Sequence, residues 1–350
     1  MSRFFSQKYS SLVPYTPGEQ PKNMEYIKLN TNESPYKPSP KVYEAAKKEA
    51  EKLHLYSDPQ SSVITEKIAN RYGVKKEQVL VTNGSDEVLN FAFMAYGDSE
   101  MLFPDITYGF YTVFAELNGA KYKEVPLTSD FSIDINDYVG KNKTIVIANP
   151  NAPTGKALSL DEIEKIVKSN PNNVVVIDEA YVDFGAESAV SLIDKYDNLL
   201  VTMTFSKSRS MAGARIGFGI GSESIINDLN TIKYSTNPYN VNRMSQTVGA
   251  VAIDEDEYYM QNCKEIIKTR EYVTSELKSL GFEVLPSSAN FIFARNEKIS
   301  GKDFYLKLKE NGVLVRHFDK ERIKDFARIT IGTREQMEIF LAKTKEILEA

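Results

Sequence analysis

The sequence predicts an α/β fold: a large domain built on a mostly parallel sheet between helices, followed by a smaller α/β domain. Three observations predict it. Short apolar runs of strand length alternate with amphipathic stretches through the middle of the chain, the pattern of a sheet covered on both faces. One long helical stretch then separates that region from a second group of short strands and helices. The length of 350 residues suits a large core and a small one better than a single core.

The elements follow in order. Helices are expected at Val42–Leu53 and Ser62–Tyr72, where apolar residues recur at helical spacing. A strand at Gln78–Thr82 leads into a helix at Ser85–Ala95 that begins just after Gly84. Met101–Pro104, Thr144–Asn149, Val174–Asp178 and Leu199–Phe205 are apolar strands bounded by turn residues. Helices at Gly109–Leu117 and Leu160–Ser169 separate them. Glu257–Leu280 reads as the long helix. Beyond it come strands at Phe282–Leu285, Phe291–Ala294, Val313–Arg316 and Ala327–Ile331, with helices at Lys302–Lys309 and Arg334–Leu348. The first forty residues are irregular and rich in Pro, Tyr and Asn, and read as an arm lying on another surface.

Composition removes several classes of function. A net charge of −5 with no basic block argues against nucleic acid or an anionic membrane as partner. No apolar run is long enough to cross a bilayer, and residues 1–10 lack the apolar core of a signal peptide. Cys263 is the only cysteine, so no intrachain disulfide is expected, which fits a reducing cytoplasm. His54 and His317 are the only histidines, and no G-x-S-x-G occurs, which leaves a Ser-His-Asp triad without support. No metal site is expected from one Cys and two distant His. Chemistry is left to Lys, Asp, Tyr and Arg, or to a cofactor.

The densest motif is Thr204-Phe-Ser-Lys-Ser-Arg-Ser-Met-Ala-Gly-Ala-Arg-Ile-Gly217, just past an apolar strand. An ε-amine at the end of a sheet strand points into the crevice where α/β proteins hold ligands. Lys207 there can form an imine with a carbonyl, provided its surroundings keep it neutral. Arg215 can clamp a phosphate through two N–H groups, and Ser206 can add a hydroxyl. Alone, the same spacing would also describe a basic surface loop. A second motif, Val174-Val-Val-Ile-Asp-Glu-Ala-Tyr181, puts a carboxylate at a buried strand end, which is costly unless it meets a cation or donor. Asp178 can pair with a protonated pyridine nitrogen, as in pyridoxal 5′-phosphate, and Tyr181 with the ring's 3-oxygen. The rival ATPase reading of apolar-Asp-Glu fails, because Pro150 and Ala157 stand where the phosphate loop needs Gly and Ser or Thr. Three weaker signals accompany these. The turn Asn149-Pro-Asn-Ala-Pro-Thr-Gly155 is rigid enough to hold an amide over a ring, or is a simple loop. Thr82-Asn-Gly-Ser-Asp-Glu87 offers helix-start N–H groups for a phosphate, or is an ordinary cap. Pro104-Asp-Ile-Thr-Tyr-Gly109 offers an aromatic to stack on a ring, or core filling.

Taken in this order, the motifs resemble the pyridoxal-phosphate-dependent aminotransferases of fold type I, class II, from about Tyr15 to Thr333. Within them the chain is most similar to the histidinol-phosphate aminotransferases. Leu29-Asn-Thr-Asn-Glu-Ser-Pro-Tyr36, Tyr56-Ser-Asp-Pro-Gln60, Pro238-Tyr-Asn-Val-Asn242, Ser288-Ala-Asn-Phe291, Val315-Arg316 and Ala327-Arg-Ile-Thr-Ile-Gly-Thr333 carry that likeness. The resemblance implies that Lys207 is the Schiff-base lysine and proton shuttle, with Asp178 on the pyridine nitrogen, Tyr181 on the 3-oxygen and Tyr108 stacked on the ring. It implies that Ser206, Arg215 and the N–H groups near Ser85 and Asp86 hold the cofactor phosphate, with Tyr56 reaching the phosphate of a neighbouring subunit. Arg328 would bind the substrate anion, Arg316 and Tyr15 are further candidates, and Asn32 and Asn240 would line the pocket. It also implies a homodimer, residues 1–40 being an arm shared with the small domain and the dimer contact, residues 41–260 the large cofactor-binding domain, and residues 261–350 the small domain.

Two departures stand out. The family usually has Asn directly before Pro-Thr-Gly, where this chain has Ala152; Asn151 either takes over the contact to the 3-oxygen or leaves it unmade. Arg209, in Ser208-Arg209-Ser210-Met211, puts a charge near the site where small and aromatic residues are usual. The expected reaction moves the amino group of L-histidinol phosphate to 2-oxoglutarate in two stages, giving imidazole acetol phosphate and L-glutamate in histidine biosynthesis. Arg328 would suit a carboxylate as well as a phosphate, so an aromatic amino-acid aminotransferase stays open. Two rival activities remain on the same scaffold: a decarboxylase acting on an amino-acid phosphate, and a cofactor sensor without enzymatic activity. A sensor would need a DNA-binding module, and none precedes Tyr15.

Overall fold

A computed structural model describes residues 2–21 and 24–349. Met1, Lys22, Asn23 and Ala350, which fall in the expected arm and small domain, lie outside the described residues. The chain begins with β1 (Ile27–Lys28), α1 (Pro40–Ala50), α2 (Ser62–Tyr72), β2 (Val79–Thr82), α3 (Ser85–Tyr96), β3 (Met101–Pro104), α4 (Phe110–Asn118) and β4 (Tyr122–Val125). It continues with β5 (Thr144–Ala148), α5 (Leu160–Ser169), β6 (Val175–Asp178), β7 (Leu199–Thr204), β8 (Gly217–Gly221), α6 (Glu223–Thr236) and α7 (Arg243–Asp254). Then come α8 (Asp256–Ser279), β9 (Phe282–Val284), β10 (Phe291–Asn296), α9 (Gly301–Glu310), β11 (Val313–Leu314), β12 (Arg316–His317), β13 (Ala327–Thr330) and α10 (Arg334–Glu349).

The main sheet has the order β2-β8-β7-β6-β5-β3-β4. β8 alone runs antiparallel to both of its neighbours; the other pairings are parallel. Its central strands are buried on both faces, which is why they read as unbroken Val and Ile rather than as alternation. The pleat then divides them. Ile145, Ile147, Val175 and Ile177 face the core under α2, α5 and α7. Val146, Ala148 and Val176 face the core under α3, α4 and α6. Truncating one of the former, Ile177→Ala, costs about 2–5 kcal/mol. α5 is fixed at its start by reciprocal bonding, the Ser159 hydroxyl accepting from the Glu162 N–H while the Glu162 carboxylate accepts from Ser159 N at 2.8 Å.

Beyond α8 a separate antiparallel sheet, β12-β13-β10-β9, packs on α8, α9 and α10. β1 of the N-terminal arm pairs parallel with β11 in a separate two-stranded sheet, so the arm contains a strand where irregular chain was expected. The expected strand Val313–Arg316 is two strands: β11 pairs with β1, and after Val315 the chain turns into the antiparallel sheet as β12 beside β13. β4, β8, α6 and α7 were not expected from the sequence. β4 is an edge strand with Lys123 and Glu124 exposed, a pattern without apolar alternation. β8 reads Gly-Phe-Gly-Ile-Gly, and its glycines hide it. The glycine at 217 is needed, because a Cβ there would lie 2.1 Å from the Ser85 backbone nitrogen at the start of α3.

Candidate active site

Because β5, β6 and β7 run parallel, the loops after them open on one edge of the sheet. The start of α3 and the loop after β3 open there too. A cavity of about 230 Å³ at this edge is lined by Ser85, Asp86, Tyr108, Ala152, Asp178, Tyr181, Ser206, Lys207 and Arg215, with Thr31 and Glu33 from the arm. An adjoining cavity of about 330 Å³ shares Tyr108, Tyr181 and Lys207, and adds Tyr15, Asn32, Arg316 and Arg328.

Lys207 lies three residues past β7. Its Nζ donates to the Thr31 carbonyl at 3.1 Å. Burial, reinforced by the positive charge of Arg328, pulls the amine down from 10.5 to about 8, against the opposing pull of Glu33 and Asp86. An amine so placed is partly neutral near physiological pH and can attack a carbonyl. Asp178 is the last residue of β6. Burial pushes its carboxyl up to about 6, although the Tyr111 hydroxyl donates to Oδ2 at 2.8 Å and the Thr202 hydroxyl to Oδ1 at 3.2 Å. A carboxylate held away from water has a strong use for a cationic partner. The Tyr181 hydroxyl accepts from Asn32 Nδ2 at 2.9 Å, and Asn32 is held in turn by Thr330, whose hydroxyl donates to its Oδ1 at 3.0 Å.

At the other end of the cavity the first turn of α3 presents backbone N–H groups at Ser85 and Asp86, which helix geometry leaves without intrahelical partners. Arg215 approaches this turn closely: a Cβ on Gly84 would lie 2.5 Å from its Nη2. Its Nη2 sits 3.4 Å from Asp86 Oδ2, a loose pair that leaves N–H groups for a phosphate. The Tyr108 hydroxyl donates to Asp86 Oδ1 at 2.8 Å, and its ring stands edge-on to Tyr111. Ser206 Oγ accepts from the Thr204 hydroxyl at 2.9 Å.

Arg328 lies on β13. One of its N–H groups donates to the Asn30 carbonyl at 2.9 Å, while its buried Nε has no partner among the described residues. A buried guanidinium N–H without a partner is expensive, and an anion entering the cavity would satisfy it. Arg316 is partly committed, donating to the carbonyls of Pro17 and Thr16 at 3.2 and 3.1 Å. Tyr15 stacks on Phe110 at 4.2 Å and forms an aromatic wall with Tyr108.

Three residues lie elsewhere than expected, Asn151, Asn240 and Arg209, while Tyr56 was expected at a neighbouring subunit. Asn151 does not line the cavity with Lys207; its amide donates to the Ile106 carbonyl and the Thr154 hydroxyl, and its oxygen accepts from Thr107. Ala152 occupies that wall instead, so no amide from this turn faces the ring position. Asn240 lines neither cavity; its amide braces Glu87 in the first turn of α3 at 2.5 Å. Tyr56 is 79 % exposed and stacks on Tyr239 at the surface. Arg209 turns away from both cavities toward α8. Tyr111 and Thr202 went unnoticed in the sequence. A threonine inside the otherwise apolar run Leu199–Thr204 is the signal that marks Thr202, whose register partner on β6 is Asp178; nothing distinguishes Tyr111 from the other tyrosines.

The donor set fits pyridoxal 5′-phosphate: a partly neutral amine for its aldehyde, a buried carboxylate for its ring nitrogen, a hydroxyl for its 3-oxygen and an N–H cup for its phosphate. Comparisons agree with this chemistry. The family model for aminotransferase class I and II matches residues 24–343. The histidinol-phosphate aminotransferase of Brachyspira hyodysenteriae is 50 % identical over 354 residues, covering 100 % of both chains. That of Acinetobacter baumannii is 49 % identical over 340 residues, 95 % of this chain and 94 % of its own. In fold, the crystal structure of histidinol-phosphate aminotransferase from Sinorhizobium meliloti in complex with pyridoxal-5′-phosphate superimposes with a TM-score of 0.89 at 21 % identity, over 100 % of this chain and 98 % of that one. The chain therefore belongs to the class I and II aminotransferases.

Proposed function

We propose that the enzyme uses pyridoxal 5′-phosphate to move the amino group of L-histidinol phosphate to 2-oxoglutarate, yielding imidazole acetol phosphate and L-glutamate, a step of histidine biosynthesis. The observation that carries this reading is Arg328: a half-buried guanidinium whose buried Nε–H has no partner among the described residues, in a cavity that also holds the Lys207 amine. Bound pyridoxal phosphate supplies an aldehyde that takes up the donor nitrogen and a cationic ring that accepts the electron pair left when the donor carbon loses its proton. The rest is done by side chains. Lys207 Nζ, partly neutral because of burial and Arg328, would take that proton and deliver it to the former aldehyde carbon on the other side of the transferred nitrogen. Asp178 holds the positive charge on the ring nitrogen, with Tyr111 and Thr202 fixing its two oxygens. Tyr181, oriented by Asn32, meets the 3-oxygen. Ser206, Arg215 and the first turn of α3 hold the cofactor phosphate, and Tyr108 covers the ring.

Arg328 then serves both stages. It grips the phosphate of histidinol phosphate, which has no α-carboxylate, and afterwards a carboxylate of 2-oxoglutarate, since a guanidinium fork matches either. The first product leaves before the second substrate binds, the two-step pattern of a shared pocket. The exposed ring pair Tyr56–Tyr239 and the neighbouring Leu53 and Leu55 support a homodimer, with Tyr56 reaching the partner's phosphate site. Three parts are assigned: residues 1–40 as arm, 41–260 as large domain and 261–350 as small domain. A cytoplasmic location fits the single unpaired cysteine.

The test follows the cofactor absorbance in single turnovers. Histidinol phosphate alone should discharge the band, and 2-oxoglutarate should restore it. Faster discharge by phenylalanine or tyrosine than by histidinol phosphate would make the protein an aromatic amino-acid aminotransferase, the reading that the wall of Tyr15, Tyr108 and Phe318 also accommodates.

A further inference from the structure

Two residues beyond Lys207 the chain carries a cation for which the reaction has no use. Arg209 is 2 % exposed, and its Nη2 lies 2.7 Å from Asp256 Oδ1 at the first residue of α8. The other oxygen of Asp256 accepts from Arg71 Nε of α2 at 2.8 Å, so one carboxylate joins two arginines from different elements. The Arg209 guanidinium also lies 5.7 Å from the centre of the Phe205 ring and 6.0 Å from that of Tyr259 in α8. Tyr259 reaches further, its hydroxyl accepting from the Ser39 N–H just before α1. Tyr72 and Asp183 complete the surroundings of the guanidinium, and Cys263 Sγ sits 3.9 Å from the Ser208 carbonyl.

The loop between β7 and β8 needs such anchoring. Ser210 and Arg215 have φ of 55° and 52°, left-handed values that non-glycine residues avoid. Strained backbone of this kind persists only where the surroundings over-determine it. The cofactor-facing groups Lys207 and Arg215 lie on either side of Arg209 in the same loop. A bond between the hydroxyls of Ser210 and Ser34 ties the loop to the arm, and Arg209 ties it to α8.

We propose that Arg209 is a positioning residue, whose buried clasp with Asp256, Arg71, Phe205 and Tyr259 fixes the loop that presents Lys207 and Arg215. It touches neither substrate nor cofactor. The inference rests on the reading of Lys207 as the cofactor-bearing lysine. Arginine is required because the clasp uses a planar cation that stacks on rings while pairing with a carboxylate, a combination that lysine does not reproduce.

The test compares full-length holoenzymes of wild type, Arg209→Met, Arg209→Lys and Asp256→Asn. In Arg209→Met, amide hydrogen exchange in residues 205–215 should rise about tenfold or more. Its kcat should fall about 10- to 100-fold with KM changed less than about threefold, the mark of misplaced reacting groups. The pH midpoint of the cofactor absorbance should move by about half a unit or more. Asp256→Asn should move all three in the same direction, and the double variant should be no worse than the worse single one. Arg209→Lys should recover part of the loss. A fall in melting temperature with exchange, kcat and midpoint unchanged in the folded variants would overturn the proposal and leave Arg209 a packing residue. Should Arg209→Met fail to fold, Asp256→Asn and Arg209→Lys decide by the same readouts. Borohydride reduction of wild type, followed by peptide mapping, separately tests the reading underneath. A cofactor fixed elsewhere than on Lys207 would overturn that reading, while the exchange measurement would still decide whether Arg209 anchors the loop.

Discussion

The two cavities hold one arginine each for which we propose an anion, Arg215 and Arg328, and they are built differently. Arg215 is about half exposed, loosely paired with Asp86, and backed by the first turn of a helix. Arg328 is half-buried, pinned by one bond to the Asn30 carbonyl, and left with a buried Nε–H that has no partner among the described residues. The contrast follows what each must hold. A cofactor phosphate stays bound, so the proposed cup would share the load among a guanidinium, a hydroxyl and backbone N–H groups, with no single member decisive. A substrate anion comes and goes, so in the proposed role one half-buried cation with an unmet, buried N–H would give a large difference between the empty and the filled pocket.

That contrast can be broken from the Arg328 side first. Arg328→Gln should cost about 2–5 kcal/mol in kcat/KM, because it removes one partner of a desolvated charge pair. The loss should be similar for histidinol phosphate and for glutamate when each is measured in a single turnover.

The next effect concerns the empty protein. Asp178 has its carboxyl raised from 3.8 to about 6 in the folded chain, so its ionised form opposes folding above that pH. The penalty, on the order of 3 kcal/mol, appears as pH rises from about 4 through 6. Lys207, lowered from 10.5 to about 8, opposes folding in the opposite direction: its penalty is absent at high pH and appears as pH falls from 10.5 through 8. Between pH 6 and 8 both groups therefore oppose folding, and the cofactor offers each its partner. Asp178→Asn should raise the melting temperature of the cofactor-free protein at pH 7 and lose the gain near pH 4, while turnover collapses. No change in melting temperature at pH 7 would show that the carboxyl is not strained in the empty site.

Smaller still is the effect of opening the phosphate cup. Arg215→Gln should weaken cofactor binding by about 1.5–3 kcal/mol, measured by dialysis against graded pyridoxal phosphate, with kcat recovered at saturation. A kcat that stays low at saturating cofactor would mean the two arginines are not separable in role. The smallest expected change is Tyr111→Phe, which removes one donor to Asp178 and should cost about 0.5–1.5 kcal/mol in cofactor affinity while moving the Asp178 carboxyl further up.

Much of this site was legible in the sequence because its parts stand at the ends of buried strands. Asp178 interrupts an unbroken apolar run, and Lys207 follows another, so their chemistry is visible as a departure from packing. Arg328 was visible only through resemblance, since β13 brings it to the cavity from far along the chain. Asn151 shows the limit of reading side chains in turns: its position beside the site is right, but its amide is spent on Ile106 and Thr154. Tyr111 was invisible because a buried helix tyrosine looks like core until the strand that meets its hydroxyl is placed. β8 was hidden by the glycines that its close approach to α3 demands. Arg209 was noticed as a charge near the site, but only packing shows that it faces α8.

The central claim is that Arg328 reads the donor's phosphate. The direct test is the single-turnover rate of histidinol phosphate against histidinol, which lacks that phosphate, in wild type and in Arg328→Gln. The wild type should prefer the phosphorylated donor by about 100-fold or more, and Arg328→Gln should bring the two within a few-fold of each other. A variant that keeps the full preference would place phosphate recognition on other residues and contradict the account.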